Sequence, residues 1–285
     1  MSLTSLVLKF AAPAPRIEAF QRYLFVGPHP DDIEIGAGAT AARLAELGKE
    51  VVFLICLDGR FGDGLSGGVT GEALARTRRE EAVRSAEILG VRNVRFLGRK
   101  NAGTRVQACT AEEMENAEPL CDGGFYGMDD LIGGIADAVR RFQPDLIFGP
   151  DPLSRSECHA DHLNVGSAVR QTACFAPYEG IMSRYAGSGP EEGGRAGADV
   201  KAAAFYFTAR PNRYVKTNGE LMKKQLDAVR AHRSQFPGEE EPLKSIRTYL
   251  RLRSADFGLR RGRLHAEGFR VYSAVQMHCL PEAGE

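Results

Sequence analysis

Apolar residues gather into short unbroken runs, and each run leads into a longer stretch in which they recur at helical spacing. Residues 23–26 form the first run, closed by Gly27 and Pro28. The small-residue segment IEIGAGATAARLAELGKE, from about Ile33, then reads as a helix packed close to the sheet through Gly36 and Gly38 and stopped by Gly48. Residues 51–57 are too continuous to alternate, which predicts a second strand buried on both faces. EALARTRREEAVRSAEILG turns Leu74, Val83, Ala86 and Leu89 to one side and ends at Gly90. VRNVRFLG gives a third strand, residues 129–141 a helix, and residues 146–148 a strand ended by Gly149-Pro150-Asp151-Pro152. A helix from near Asp161, a strand in VKAAAFYFTARPNRYV, a helix in LMKKQLDAVRAHRSQF and a late strand in FRVYSAVQM complete the series. This alternation predicts an α/β fold, a Rossmann-like and mostly parallel sheet with helices on both faces and right-handed crossovers.

Three stretches break the pattern. LDGRFGDGLSGGVTG holds six glycines between 59 and 71 at the end of a strand, which suits an active-site loop. Residues 101–127 are polar and aperiodic, and residues 176–200 are rich in Gly, Ser and charge, so both read as loop insertions. The 285 residues are expected to form one domain over 1–285 that carries them. Lys+Arg and Asp+Glu both number 37, so no global field favours nucleic acid or a membrane surface. No run of 18 apolar residues exists, which predicts no spanning helix. The apolar residues 6–8 lack a basic lead and suit a small strand or arm better than a secretory signal. The six cysteines (56, 109, 121, 158, 174, 279) show neither paired metal spacing nor a disulfide framework, and a reducing cytoplasm is the expected location. Oligomeric state is not encoded in any pattern, and a homo-oligomer is compatible with the insertions.

Chemistry concentrates at two strand ends. His29, Asp31 and Asp32 follow the first strand, and Glu157-Cys158-His159-Ala160-Asp161-His162 follows the strand at 146–148. Neighbouring parallel strands bring such ends together, so His29, Asp32 and His162 can share one cation with a position left open, the pattern of a catalytic metal site. Asp31 then suits a general base and His159 an acid, with Asp161 fixing the tautomer of His159. The bland alternative is a set of ordinary polar loop residues, and helix residues such as Arg78 and Arg79 are ordinarily solvated. A dinucleotide site built on Gly36-Ala37-Gly38 and Asp58 fails, because the glycines fall inside the helix and His29-Pro30-Asp31-Asp32 fills the place of the pyrophosphate.

PHPDDIEIGAGAT resembles the HPDD-xEIGxGGT signature of the LmbE-like, or PIG-L, zinc-dependent N-deacetylases. The likeness continues through the LDG turn at 57–59, Arg78-x-x-Glu81, PDLIFGPDP, HADHLNVG and AHRSQF, covering residues 22–175 with weaker support to about 276. It implies zinc, or iron, cobalt or nickel, on His29, Asp32 and His162, with Asp31 as base and His159 as acid or oxyanion stabiliser. It also implies a substrate contact from Arg78, a positioning role for His232, and no nucleotide or organic cofactor. The implied reaction removes an N-acyl group, mostly acetyl, from a small glucosamine conjugate; an amidase or carbamoyl hydrolase and a non-catalytic binding module are the alternatives. HADH stands where the family has HPDH, which removes no functional group. The two insertions depart further and widen the choice of acceptor. In YFTARPNRYV, Arg210, Asn212 and Arg213 are expected to meet a polar or anionic part of the substrate.

Overall fold

The computed structural model describes Val7 and residues 10–65, 67–187, 196–238 and 240–280. The first apolar run becomes β1 (Arg22–Gly27), and the small-residue segment becomes α1 (Asp32–Glu46). Next come β2 (Glu50–Ile55), α2 (Gly71–Ile88), β3 (Asn93–Arg99), β4 (Gln107–Cys109), β5 (Glu118–Pro119), α3 (Met128–Phe142) and β6 (Leu146–Pro150). The remainder comprises α4 (Ala160–Phe175), α5 (Glu179–Ala186), β7 (Ala202–Tyr206), β8 (Arg213–Lys216), α6 (Gly219–Ala231), α7 (Leu243–Leu259), β9 (Ala266–Ser273) and α8 (Ala274–Cys279).

The described strands form one sheet in the order β4-β3-β2-β1-β6-β7-β9-β8, with β5 also paired to β3. The centre, from β3 to β7, is parallel, while β4, β5, β8 and β9 add antiparallel edges. From β1 the chain winds outward through β2 and β3, then returns to the other side of β1 to lay down β6 and β7. That reversal is a topological switch point, and it opens a crevice beyond the carboxyl ends of β1 and β6.

Helices cover both faces, which explains the unbroken apolar runs. Tyr23 and Phe25 of β1 pack with Phe53, Phe148, Tyr206 and Phe269 beneath α1, α2 and α6, and the Phe25 and Phe148 rings stack at 4.0 Å. Leu24 and Val26 point the other way, to Leu54, Ile147, Leu131, Ile135, Val165 and Val169. Gly36 is where α1 meets the sheet: a Cβ there would fall deep inside the Tyr206 ring, whose hydroxyl donates to the Val26 carbonyl at 2.8 Å. A smaller cluster of Leu226, Val229, Phe236, Leu243 and Leu250 holds α7 against α6.

Several expectations need correction. The excursion at 101–127 is not irregular throughout, since β4 and β5 extend the sheet from within it. Within 176–200, α5 packs on α3 with Met182 buried, while residues 188–195 lie outside the described residues. The expected single strand in VKAAAFYFTARPNRYV is two strands, β7 and β8, joined at opposite ends to β9. The late strand stops at Ser273, whose side chain and that of Gln276 form a reciprocal cap and start α8. Of residues 6–8, where a small strand or arm was expected, Leu6 and Leu8 lie outside the described residues and Val7 is helical. Among the described residues no helix is long and apolar enough to cross a membrane.

Candidate active site

The turn after β1 is held from below. Arg78 of α2 is buried, and its Nη2 donates to the Pro30 carbonyl at 2.8 Å and to Asp31 Oδ2 at 3.3 Å. Its Nη1 donates to the Gly59 carbonyl at 3.0 Å, and a Cβ on Gly59 would collide with that guanidinium. Arg78 therefore braces two loops rather than standing in solvent. Asp31, at the helix cap, carries φ 119° and ψ −24°, a conformation that disfavours any side chain. Such strain persists only where the surroundings over-determine it, and it clusters at working sites.

Beyond that turn, residues from both strand ends converge. His29 Nδ1 lies 3.1 Å from Asp32 Oδ2, and His162 Nε2 lies 3.3 Å from Asp32 Oδ1. Each ring is fixed at its far nitrogen by another carboxylate: His29 Nε2 is 3.0 Å from Asp161 Oδ2, and His162 Nδ1 is 2.9 Å from Glu157 Oε2. Those far nitrogens donate to their carboxylates, so it is His29 Nδ1 and His162 Nε2 that turn lone pairs to the Asp32 side whenever the rings give up their second proton. One ligand atom from each of His29, Asp32 and His162 lies within 4.8 Å of the others. Two imidazoles and a carboxylate suit zinc and its first-row neighbours.

Among the described residues two other trios come as close, His29–His159–Asp161 and Asp58–Cys121–Asp122. Neither is as well suited. Asp161 already accepts from the Gly123 and Gly124 amides, the Tyr126 hydroxyl and His29. Asp58 is bound by the Arg60 guanidinium, and Asp122 accepts from the Phe61 amide. The expected pairing of Asp161 with His159 also shifts: the carboxylate orients His29, while His159 Nδ1 accepts the Asp161 backbone N–H at 3.3 Å.

The electrostatics match a cation. Burial lowers His29, but hydrogen bonds to Asp161 and Asp32 outweigh it and raise it to about 10. Burial likewise lowers His162, and Asp32 and Glu157 lift it to about 9. Burial raises Asp32, yet the two imidazoles hold it well below the usual carboxylate range. Without a metal, imidazole protons supply the positive charge that the carboxylates demand. Burial pushes Asp31 up to about 6 against the pull of Arg78. His159 is lowered by partial burial and by the charges of His29 and His162, whose rings lie 4.9 and 4.8 Å away. Its side chain is half exposed, at the mouth of the site.

The remaining candidates separate. His232 is fully buried, 3.3 Å from Glu34 Oε1, beneath Asp31 and out of reach of a ligand. Asn212 exchanges two hydrogen bonds with Val271, and Arg213 donates to the Ala14 and Pro15 carbonyls, so both serve the sheet edge. Arg210 is exposed beyond β7. In their place stand groups that no pattern had singled out. Phe207, itself at φ 55°, stacks on the His162 ring, and a cavity of about 410 Å³ runs from Asp32 and His162 to Tyr249 and Arg253 of α7. Glu157 and Tyr126 lay in stretches already suspect, but their partners are distant in sequence.

A profile of the family described as PIG-L, GlcNAc-PI de-N-acetylase, matches residues 24–173, more than half of the chain. The chain belongs to the PIG-L family. Among relatives, diacetylchitobiose deacetylase of Thermococcus kodakarensis is 32% identical over 265 residues, covering 92% of this chain and 87% of that one. A 1D-myo-inositol 2-acetamido-2-deoxy-alpha-D-glucopyranoside deacetylase of Kineococcus radiotolerans is also 32% identical, over 62% of this chain and 50% of its own. The solved N,N'-diacetylchitobiose deacetylase from Pyrococcus horikoshii superposes with a TM-score of 0.78 at 27% identity, covering 98% of this chain and 93% of that one. The PIG-L resemblance carried by PHPDDIEIGAGAT and HADHLNVG is thus upheld, and these named relatives are hydrolytic deacetylases.

Proposed function

We propose that this PIG-L chain is a zinc-dependent N-deacetylase that hydrolyses the acetamide of a small amino-sugar conjugate. The observation that carries the reading is Asp32 set between two imidazoles, each backed by its own carboxylate, at the switch point of the sheet. His29 Nδ1, His162 Nε2 and Asp32 would hold the cation. When bound, it supplies a Lewis acid that polarises the acyl carbonyl and acidifies water.

The chain's own groups then manage the protons. Asp31, raised by burial to about 6, accepts a proton from water as its oxygen adds to the acyl carbon. Arg78 and the strained turn keep that carboxylate in place. His159 accepts a backbone N–H at Nδ1, so its own N–H sits on Nε2 and donates a hydrogen bond to the acyl oxygen as negative charge builds there, while Asp31 hands the proton it took from water to the departing nitrogen. The C–N bond breaks, nitrogen takes that proton, and acetate and a free amine leave. The unpaired Cys56 and Cys109 in the core support a cytoplasmic setting.

Amine and acetate release from N-acetylglucosamine and N,N'-diacetylchitobiose, measured on zinc-loaded protein beside Asp31→Asn, tests the reading. Release is expected to fall by roughly 10²–10⁴ in the variant while one metal per chain is retained. Absence of release from every acetylated sugar by fully metal-loaded protein would sink it.

A further inference from the structure

α1, which carries Asp32, is two helical segments rather than one. Ala37 interrupts it with φ −152° and ψ 15°, leaving a short first segment, residues 32–36, and a second that begins at Gly38. Such a break frees N–H groups at the start of the second segment and carbonyls at the end of the first. Counted from Ala37 as the cap, the amides of Ala39 and Thr40 are those that a capping side chain accepts, and alanine has no oxygen to offer. Residues far along the chain take over both tasks. Glu267 of β9 accepts the Ala39 amide at 3.3 Å through Oε1 and the Thr40 amide at 2.6 Å through Oε2. Gln225 of α6 donates through Nε2 to the Glu34 carbonyl at 2.8 Å. The same Nε2 lies 3.0 Å from Glu267 Oε1, so amide and carboxylate form one bridge across the break.

The bridge reaches the site through a segment with little freedom of its own. Gly36 rests against the Tyr206 ring of β7, and Gly38 against the Gln225 stem, where an added Cβ would come to 3.0 Å of Cγ. Asp32 opens that segment and sets its carboxylate between His29 and His162, at 3.1 and 3.3 Å. Any shift of the segment carries Asp32 with it. Burial raises the Glu267 carboxyl above its ordinary value, a cost that a cap at the surface would avoid.

We propose that Glu267 is a positioning residue for the metal site: bridged to Gln225, it places the Asp32 segment and thereby sets the geometry at which Asp32 meets the two imidazoles. The inference rests on the proposed ligand set of His29, Asp32 and His162, and not on which amide is cleaved. The turn after β1 is thus aligned to β9, a strand beyond β6 and β7 in the sheet.

Glu267→Gln, which keeps the shape but turns an N–H group toward N–H donors, and Gln225→Ala test this beside the parent, each loaded with cobalt(II) in place of zinc. The Kd for cobalt from chelator competition is expected to rise about 10–100-fold in each variant. The visible absorption of the bound cobalt, which reports ligand geometry, is expected to change in position or intensity. For amine release from N,N'-diacetylchitobiose the loss is expected in kcat, with KM near its parental value. Hydrogen exchange over residues 38–42 is expected to quicken in both variants, and exchange over β1 to stay at the parental rate. Faster exchange at 38–42 with an unmoved Kd and an unmoved cobalt spectrum makes Glu267 a helix cap alone and overturns the proposal. Weaker binding that follows a general loss of stability in urea, with the bound cobalt spectrum unchanged, overturns it as well. Altered cobalt geometry in both variants of a protein that releases no amine from any acetylated sugar would sustain the positioning role and reject the deacetylase reading instead.

Discussion

Glu157 shows how much of the proposed metal site lies outside its ligands. Its carboxylate fixes the tautomer of His162, and the variant Glu157→Gln keeps the shape while weakening that acceptor. Metal affinity is expected to drop about 10–100-fold in a chelator-competition assay, with an unchanged circular dichroism spectrum. Asp31 permits a cleaner separation of chemistry from backbone. Asp31→Ala and Asp31→Gly both lose the carboxylate, but only glycine relaxes at φ 119°. The glycine variant is expected to be the more stable by roughly 1–3 kcal/mol in urea unfolding, with both inactive. At this scale the sequence disclosed the cluster, because polar groups crowded two strand ends. It did not disclose partners. Asp161 and His159 are neighbours in the chain, yet the carboxylate turns to His29, since hydrogen bonds follow direction rather than spacing. Arg78 looked like solvated helix surface from its neighbours Arg76, Arg79 and Glu80, and only the turn packed above it explains its burial.

Among elements, the parallel centre was legible because both its faces are covered and its strands read as unbroken apolar runs. The edges were not. β4 and β5 are too short for a period to register, and α7 exposes Leu252 and Leu259 among its polar residues, so no clean apolar face marks it. The helix that walls the cavity therefore passed unread. One joint between elements has a measurable pH signature. Asp145 precedes β6 and accepts the backbone N–H of Arg22 at 2.8 Å and of Gln21 at 3.1 Å, tying β6 to the start of β1. Burial would raise this carboxyl, but those hydrogen bonds and Arg22 hold it below the usual value of 3.8. Its folded pKa is depressed, so its contribution is complete above about pH 4 and disappears as pH falls through the folded value. The stability difference between the parent and Asp145→Asn, from urea unfolding, is expected to be constant from pH 7 to 5 and to shrink toward zero below pH 3.

For the molecule as a whole, the cation is expected to act as a folding ligand. It binds a geometry that only the native sheet presents, so saturation at about 100 times Kd adds roughly 2.7 kcal/mol. Thermal scans are expected to show a fall of several degrees on chelation and full recovery with zinc; an unchanged midpoint would mean that the three ligands do not bind the ion in the folded state. Fold class was readable at this scale because strand and helix alternate with few interruptions. The switch point itself was not, as strand order is a property of pairing rather than of any local pattern.

The seam between β1 and β6 has a consequence for biosynthesis. Asp161 and its neighbour His162 enter the chain some 132 positions after His29, once β2, β3 and α3 have been made. A ribosome adding about 5–20 residues per second needs many seconds to cover that interval. During it the emerging chain holds only His29 and Asp32 of the proposed ligands, two donors where the site needs three. On the proposed ligand set the ion is therefore expected to bind only after the second half of the sheet docks, so that metal loading would mark the completed protein rather than the nascent one.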